Sequence, residues 1–341
     1  MTGEFLKLSH GAGGTLMDEV IKKIVIPAFS MRRALGGVGI DELDDGSSLR
    51  LDGHEVVTSM DGHTVSPVFF PGGDIGRLSI SGTTNDLAMM GAKPVAILDS
   101  IIVEEGFGFA DMARVIKSME EAAREIDLAI IGGDFKVMPK GSLDQIVIAT
   151  CGIGLARKGA VILDSGTKPG DMVIVTGSIG DHGMALLSAR KEFRLEMDLQ
   201  SDVAPIWSTV QAALGLGGVT AMKDPTRGGL ASALNDIATK SKVSIWLDQD
   251  QVPVKESVRV GSEMLGLDPY EITCEGRAVI CVSKKAVEAT LDAVRGTRYG
   301  REATIAGEVK AEYPGYVFLK TKVGGTRVVE KPIGEPIPRV C

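Results

Sequence analysis

Acidic residues set beside glycines or other turn formers recur in the first half of the chain: Asp44 and Asp45 before Gly46, Asp61 before Gly62, Asn85 with Asp86, and Asp134 after Gly132 and Gly133. Any one of these is explained as a turn, because Asp and Asn fold back on their own backbone and Gly accepts the left-handed conformation. Four of them in one half, with Lys136 two residues beyond Asp134, fit a second use. Magnesium takes a few carboxylates together with phosphate oxygens and water, so the set points to a metal-bound triphosphate. In the second half Asp224-Pro225-Thr226-Arg227-Gly228-Gly229 leads into an apolar periodic run. Free N–H groups at a helix start, the Thr226 hydroxyl and the Arg227 fork would converge there on an anion. An ordinary helix start with Pro near its first turn would look the same. Glu275, in a turn just before a strand, is placed to act as a base; alone it would be a surface ion-pair residue. His10, His54, His63 and His182 read as solvated residues of loops and turns.

The standard nucleotide fingerprints are absent. No GxxxxGK[ST] occurs, and Gly152-Ile153-Gly154 runs into Leu155-Ala156-Arg157 instead of completing GxGxxG. Cys151, Cys274, Cys281 and Cys341 lie far apart, without the pairing that a zinc site needs. Cys151 and Cys281 sit in apolar strand-like runs and read as buried, inert thiols. Cys341 is the last residue, where a thiol fills no core.

Apolar periodicity says what must position these groups. Residues 56–59, 95–103, 129–131 and 145–155 read as strands, and 109–126 as a helix whose Met112, Ile116, Met119, Ala123 and Ile126 form one apolar stripe. A break at 156–171, mixing turn residues with a short apolar run, precedes a second α/β alternation. It comprises strands at 172–176, 244–247, 278–283 and 302–309, helices at 181–190 and 205–216, and a helix from Gly228 that buries Leu230, Leu234 and Ile237. The fold class is therefore α+β: two α/β domains at 1–157 and 158–322, followed by a flexible tail at 323–341 that carries Pro332, Pro336 and Pro338. Extended, ten tail residues reach roughly 33 Å, enough to enter a site elsewhere on the molecule.

A chain of 341 residues, 44% hydrophobic, can bury the cores of two domains. A net charge of -8 leaves no basic surplus for nucleic acid. No apolar run is long enough for a membrane span, and the first residues have no basic region followed by an apolar one, so the expectation is a soluble, cytoplasmic protein.

Several stretches together resemble one family over nearly the whole chain. They are LSHGAGG at 8–14, MDGHTVSPVFFPGGDIG at 60–76, GTTNDLAMMGAKP at 82–94, GGDFKVM at 132–138, GDHG at 180–183, DPTRGGL at 224–230 and TCEGR at 273–277. The chain ends on Pro338-Arg339-Val340-Cys341, the most specific of these matches. The sequence resembles the aminoimidazole ribotide synthetase-like (PurM-like) superfamily of ATP-dependent enzymes, and within it the HypE family of hydrogenase maturation proteins. The resemblance implies a homodimer built on the N-terminal domain, with ATP in a cleft closed partly by the C-terminal domain. It makes Asp45, Asp61, Asp86 and Asp134 the Mg²⁺ and phosphate set, with Asp45, Asp86 and Asp134 on the metal. Asn85 would help shape the cleft, and Thr226 and Arg227 would join in binding the nucleotide. Lys136 and Glu275 would border the place where Cys341 arrives.

The implied reaction has the carbamoyltransferase HypF load a carbamoyl group on the terminal thiol. ATP then drives dehydration of this S-carboxamide to an S-cyanide, which passes through a HypC–HypD scaffold to the iron of a [NiFe] hydrogenase. Phe135 departs from the pattern, standing where a threonine is expected, and puts one phosphate contact in question. Another ATP-dependent synthetase of the superfamily, making a small phosphorylated metabolite, is the alternative. It has no use for a terminal cysteine, and a selenophosphate synthetase would carry its reactive cysteine near the N-terminus, where none precedes Cys151. A docking scaffold is the non-enzyme reading; it would hydrolyse no ATP and would have no use for so many acidic glycine loops.

Overall fold

Residues Ile146–Arg157 alternate along twelve positions between buried and more exposed, the period of a strand with one covered face. In the computed structural model, which describes residues 5–341 except 12, 191, 192, 194–196, 335, 336, 338 and 339, this strand is the centre of a five-stranded sheet. The strands are β1 (Ser47–Leu51), β2 (His54–His63), β5 (Lys93–Glu104), β6 (Ala129–Met138) and β7 (Ile146–Arg157), in the order β1-β2-β7-β5-β6. Only β5–β6 is parallel, joined through α3 (Phe109–Glu125) as a parallel pair requires. Strands β3 (Phe69–Phe70) and β4 (Gly73–Asp74) form a hairpin leading into α2 (Ile75–Met89). Asp74 caps that helix by accepting from the Arg77 N–H. Nearly every residue of α2 is buried, because it lies between the first sheet and the second domain.

The stripe of α3 holds at Met119, Ala123 and Ile126, which are buried, and at Met112, which packs partly buried against the core. Val115, Met119, Ala122 and Ala123 face the core, whereas Ile116 is 43% exposed. Steps of four, three and four from Val115 reach Met119, Ala122 and Ile126, so the buried face is centred nearer Val115 than Ile116.

The second sheet has the order β14-β13-β10-β12-β8-β11-β9. Its strands are β8 (Met172–Val175), β9 (Val219–Lys223), β10 (Ser244–Asp248), β11 (Val279–Val282), β12 (Thr304–Lys310), β13 (Val317–Lys320) and β14 (Thr326–Val328). Helix α6 (Gly229–Ser241) lays Leu230, Leu234 and Ile237 into one core with this sheet. A second core joins α2 and α3 to α4 (Asp181–Ala189), α5 (Trp207–Leu214), α7 (Glu256–Leu265) and α8 (Val287–Arg295), so the two domains share packing. The remaining helix, α1 (Gly14–Val20), precedes the first sheet.

The tail differs from its expectation in two ways. Residues 326–328, inside the segment read as flexible, pair with β13 as β14. Beyond them the chain turns back, and the carbonyls of Pro332 and Ile333 accept from the N–H groups of Thr15 and Leu16 at 3.1 and 3.2 Å. A Cβ on Gly14 would sit 2.4 Å from the Pro332 oxygen, so this approach requires glycine. Ile337 and Val340 are buried. Prolines that break regular structure are compatible with docking, because an extended segment can still bury its side chains. Pro336, Pro338 and Arg339 lie outside the described residues.

One face of the first sheet is uncovered. Met60, Leu98 and Leu155 on it are 73%, 39% and 43% exposed, beside Val147, Ala149 and Ile153. Cys151 shares this outward parity and is partly exposed, unlike the buried thiol expected there, while Cys281 is fully buried.

Candidate active site

Strand alternation turns Ser59, Asp61 and His63 of β2 inward, toward α2. Thr83 and Asp86, three residues apart, meet them from one face of that helix. Thr83 Oγ1 donates to Asp61 Oδ2 at 2.9 Å, and Ser59 Oγ donates to Asp86 Oδ2 at 2.6 Å. From the second domain, the end of β9 and the turn after it bring Lys223, Asp224, Thr226 and Arg227 to the same place. The loop before β1 supplies Asp44 and Asp45.

Carboxylate oxygens of Asp45, Asp86 and Asp224 lie within 4.8 Å of one another, and Asp45 Oδ2 and Asp224 Oδ2 have no hydrogen-bond partner. Burial, reinforced by neighbouring carboxylates, pushes Asp45 and Asp86 well above the usual carboxylate range and Asp224 to about 6. Mutually repelling carboxylates with orphaned oxygens are a donor set for a hard divalent cation, so these residues fit magnesium. Lys223 partly offsets their charge by pairing with Asp45 and, at 3.2 Å, with the buried Asp164 between the domains. Lys240 adds bonds to Asp164 and Asp44 at 2.8 and 2.9 Å.

Two spaces adjoin this cluster. The larger, about 420 Å³, runs between the domains under the Gly13–Gly14 turn. The smaller, about 40 Å³, is lined by Cys341, Glu275, His63 and Gly82. Asp61, Asp86, Asp224, Thr226 and Arg227 border both. The small chamber has room for a few heavy atoms and none for a nucleotide. A roomier cavity, about 500 Å³, shares no residue with either. The charge on Arg227 is held most strongly by Cys341, then against burial by Asp61, Glu275 and Asp86.

Glu275 is buried, and its Oε1 has no partner. Burial, then Asp224 and Asp202, push its carboxyl well above the ordinary range. The loop itself is fixed: Asp202 accepts from the Glu275 and Gly276 N–H groups at 3.3 and 3.1 Å, and Asn85 Nδ2 donates to the Glu275 carbonyl at 3.2 Å. Asn85 also donates to the Ala204 carbonyl and accepts from the Ile206 N–H, so its amide is occupied by backbone. Asn85 therefore clamps the Glu275 loop to α2 and stands behind the residues that border the cleft and the chamber.

Asp134 and Lys136 are not brought to this site within the chain. Asp61 pairs with Thr150, Thr150 with Asp99 and Asp99 with Gly133, so β6 lies three strands from β2, roughly 14 Å at the usual spacing. Gly133 has the parity of Asp61, which leaves Asp134 and Lys136 on the opposite, uncovered face. Asp224 takes the place in the carboxylate cluster that sequence reasoning assigned to Asp134. Phe135 lies on the same exposed edge strand, 57% exposed and away from the cleft.

Asp224, Lys223 and Asp164 were missed as site residues, as were two histidines. His63 and His182 are buried, not solvated. His63 Nε2 meets Thr150 Oγ1 at 3.3 Å, and His182 packs edge-on to Phe70. The available signal for Asp224 was its position at a strand end, two residues before the Thr226 and Arg227 already read as anion ligands.

Comparison with known proteins bears on the family. Residues 43–156 match the AIR synthase related protein, N-terminal domain, and residues 168–320 the AIR synthase related protein, C-terminal domain. The carbamoyl dehydratase HypE of Rhizobium leguminosarum bv. viciae is 40% identical, covering 98% of this chain and 95% of its own. The crystal structure of a HypE–HypF complex is similar at a TM-score of 0.85 and 39% identity, covering 92% of this chain and 99% of that one. A crystal structure of the hydrogenase maturation protein HypE in complex with ATP is similar at a TM-score of 0.81 and 37% identity, covering 99% of this chain and 100% of that one. With both domains matched, and relatives of this identity aligned from end to end, the chain belongs to the HypE family of AIR synthase related proteins.

Proposed function

We propose that this chain is an ATP-dependent carbamoyl dehydratase of hydrogenase maturation, whose own Cys341 carries the substrate. The observation that supports this most is the position of Cys341, in a chamber that shares Asp61, Asp86, Asp224, Thr226 and Arg227 with a nucleotide-sized cleft. A metabolite synthetase would need that chamber for a free substrate.

An amide oxygen is a poor leaving group. The carbonyl oxygen of an S-carboxamide on Cys341 attacks the terminal phosphorus of ATP as the bond to ADP breaks. The oxygen then leaves as phosphate, and the nitrogen gives up its two protons, one to Glu275 and one to the departing phosphate, as the C≡N bond forms. Arg227, between the two spaces, offsets charge on the phosphoryl group in transit. Glu275, buried beside Cys341 with its Oε1 unpartnered, takes a proton from nitrogen. Asp45, Asp86 and Asp224 would hold Mg²⁺, which when bound supplies positive charge to the triphosphate.

The uncovered face of the first sheet supports a homodimer, because a contiguous apolar sheet face on a single chain calls for a partner. Asp134 and Lys136 stand at the edge of that face, so we assign their phosphate and metal roles to the partner's cleft. A carbamoyltransferase of the HypF type would load Cys341, and a HypC–HypD scaffold would receive the cyanide. No helix among the described residues is long and apolar enough to cross a membrane, which agrees with a cytoplasmic site of action.

Intact-mass spectrometry after incubation with HypF, carbamoyl phosphate and ATP tests the reading. The expected product is a carbamoyl adduct on the C-terminal peptide that becomes lighter by one water only with ATP. An adduct that forms equally on Cys341→Ala would show that the tail is not the carrier.

A further inference from the structure

The GDHG stretch at 180–183 contributes no residue to the cleft or the chamber, yet it contains a buried histidine. We propose that His182 is the positioning residue of the carrier tail: its ring grips the carbonyl of Val340, one residue before the thiol, and so sets the register in which Cys341 enters the chamber. The inference rests on the carrier role of Cys341 proposed above.

His182 Nε2 lies 2.8 Å from the Val340 oxygen and Nδ1 lies 2.7 Å from Ser201 Oγ. A carbonyl oxygen can only accept, so Nε2 carries the proton and Nδ1 accepts from the Ser201 hydroxyl. The ring is neutral in this arrangement, in keeping with burial that lowers its pKa to about 4. Ser201 is itself fixed, since its N–H donates to the Pro71 carbonyl at 2.8 Å and its Oγ accepts from the Val203 N–H at 3.0 Å. With one Ser201 lone pair taken by the Val203 N–H, its hydroxyl hydrogen is available to Nδ1, which matches the Nε2–H tautomer that the Val340 carbonyl requires.

The neighbouring residue completes the seat. A Cβ on Gly183 would come within 2.9 Å of Ile337 Cδ1, so glycine there leaves the space that the Ile337 side chain fills. On the far side, Thr64 Oγ1 donates to an oxygen of the Cys341 terminal carboxylate at 3.3 Å. Residues 340 and 341 are thus each held through a backbone oxygen by a side chain from a different domain, with Ile337 and Val340 buried behind them. Sliding the tail by one residue would take the Val340 carbonyl off His182 and Cys341 out of the chamber.

The test reads how often the thiol leaves its seat. In the full-length protein, the rate of Cys341 alkylation by iodoacetamide is followed by mass spectrometry of the C-terminal peptide. His182→Ala is expected to raise the rate about tenfold, the effect of losing one buried hydrogen bond. His182→Gln, which keeps an amide donor near the Nε2 position, is expected to restore most of the protection. Ser201→Ala leaves the ring but frees its tautomer and should raise the rate roughly twofold to threefold; it decides the matter if His182→Ala does not fold. An unchanged rate in a folded His182→Ala, or an equal rise in the Ala and Gln variants, would overturn the proposal, the second by showing that only ring packing matters. Failure of the wild-type chain to accept a carbamoyl group would sink the carrier reading and leave these alkylation rates untouched.

Discussion

The two faces of the first sheet use the same strands for opposite purposes. Inward, β2 presents Ser59, Asp61 and His63 to α2, and every one of them has a polar partner there or lines a cavity. Outward, the alternate positions of β2, β5 and β7 present Met60, Leu98, Leu155 and their neighbours with nothing over them among the described residues. The charged residues that sequence reasoning drew into one constellation are divided between these faces. Asp61 and Asp86 belong to the inner site, while Asp134 and Lys136 belong to the outer rim. Proximity in a list of motifs does not imply proximity in a sheet, because one step along a strand reverses the face.

The largest effect should come from the inner face. Asp86→Asn removes one of three clustered carboxylates, and ATP turnover is expected to fall by about a hundredfold or more, as when a group facing the transferring charge is lost. Thermal stability should hold or rise, since the substitution relieves repulsion with Asp61, Asp224 and Asp45. Phosphate release and calorimetry on the same sample separate the two readouts. Loss of both together would mean that Asp86 is structural.

The outer face is tested by complementation between subunits. Lys136→Ala and Cys341→Ala chains are each expected to be inactive in cyanide formation. If Lys136 serves the partner's cleft, mixing them produces heterodimers in which the intact Cys341 meets the intact Lys136 of the other chain. Activity should then recover to roughly a quarter of the wild-type level, one working site in half of the dimers. A mixture as inactive as its components would place Lys136 with its own Cys341, against the strand order, and an active Lys136→Ala chain would put Lys136 outside the mechanism.

How much of this was legible depended on the range of the interaction concerned. The stripe on α3 and the burial of Leu230, Leu234 and Ile237 on α6 could be read from local period, with one error, at Ile116. The grouping of Asp45, Asp61 and Asp86 could be read from their glycine and turn neighbours. Asp224, Lys223 and Asp164 were hidden because their meeting depends on how two domains dock, which no local pattern encodes. The faces of Asp134 and Lys136 follow from strand order, and from register shifts between Pro94 and Ala96 and between Ile97 and Leu98 in the pairings of β5. The burial of His182 required a tail more than a hundred residues away to fold back over it. Composition identified that tail's lack of regular structure, and missed its docking because a few apolar residues suffice to seat an extended segment.

The smallest expected effect compares two adjacent residues, Thr150 and Cys151, which point to opposite faces. Thr150 Oγ1 lies 2.6 Å from Thr83 Oγ1 and 3.3 Å from His63 Nε2, inside the network that holds Asp61. Thr150→Val keeps the volume and removes the hydroxyl, at a cost of about 1–3 kcal/mol for partners left unsatisfied. Tm should drop by several degrees at every protein concentration. Cys151→Ser makes a small polar change on the uncovered face, and at dilutions where the chain is monomeric its effect should stay within about 0.5 kcal/mol. At high concentration a dimer that buries this face would stabilise the wild type by mass action, and the serine variant would gain less from concentration. Thermal unfolding across a hundredfold range of concentration therefore distinguishes the faces. Parallel curves for wild type and Cys151→Ser would show that the outer face stays open to water, and the assignment of Lys136 to a partner's cleft would lose its footing.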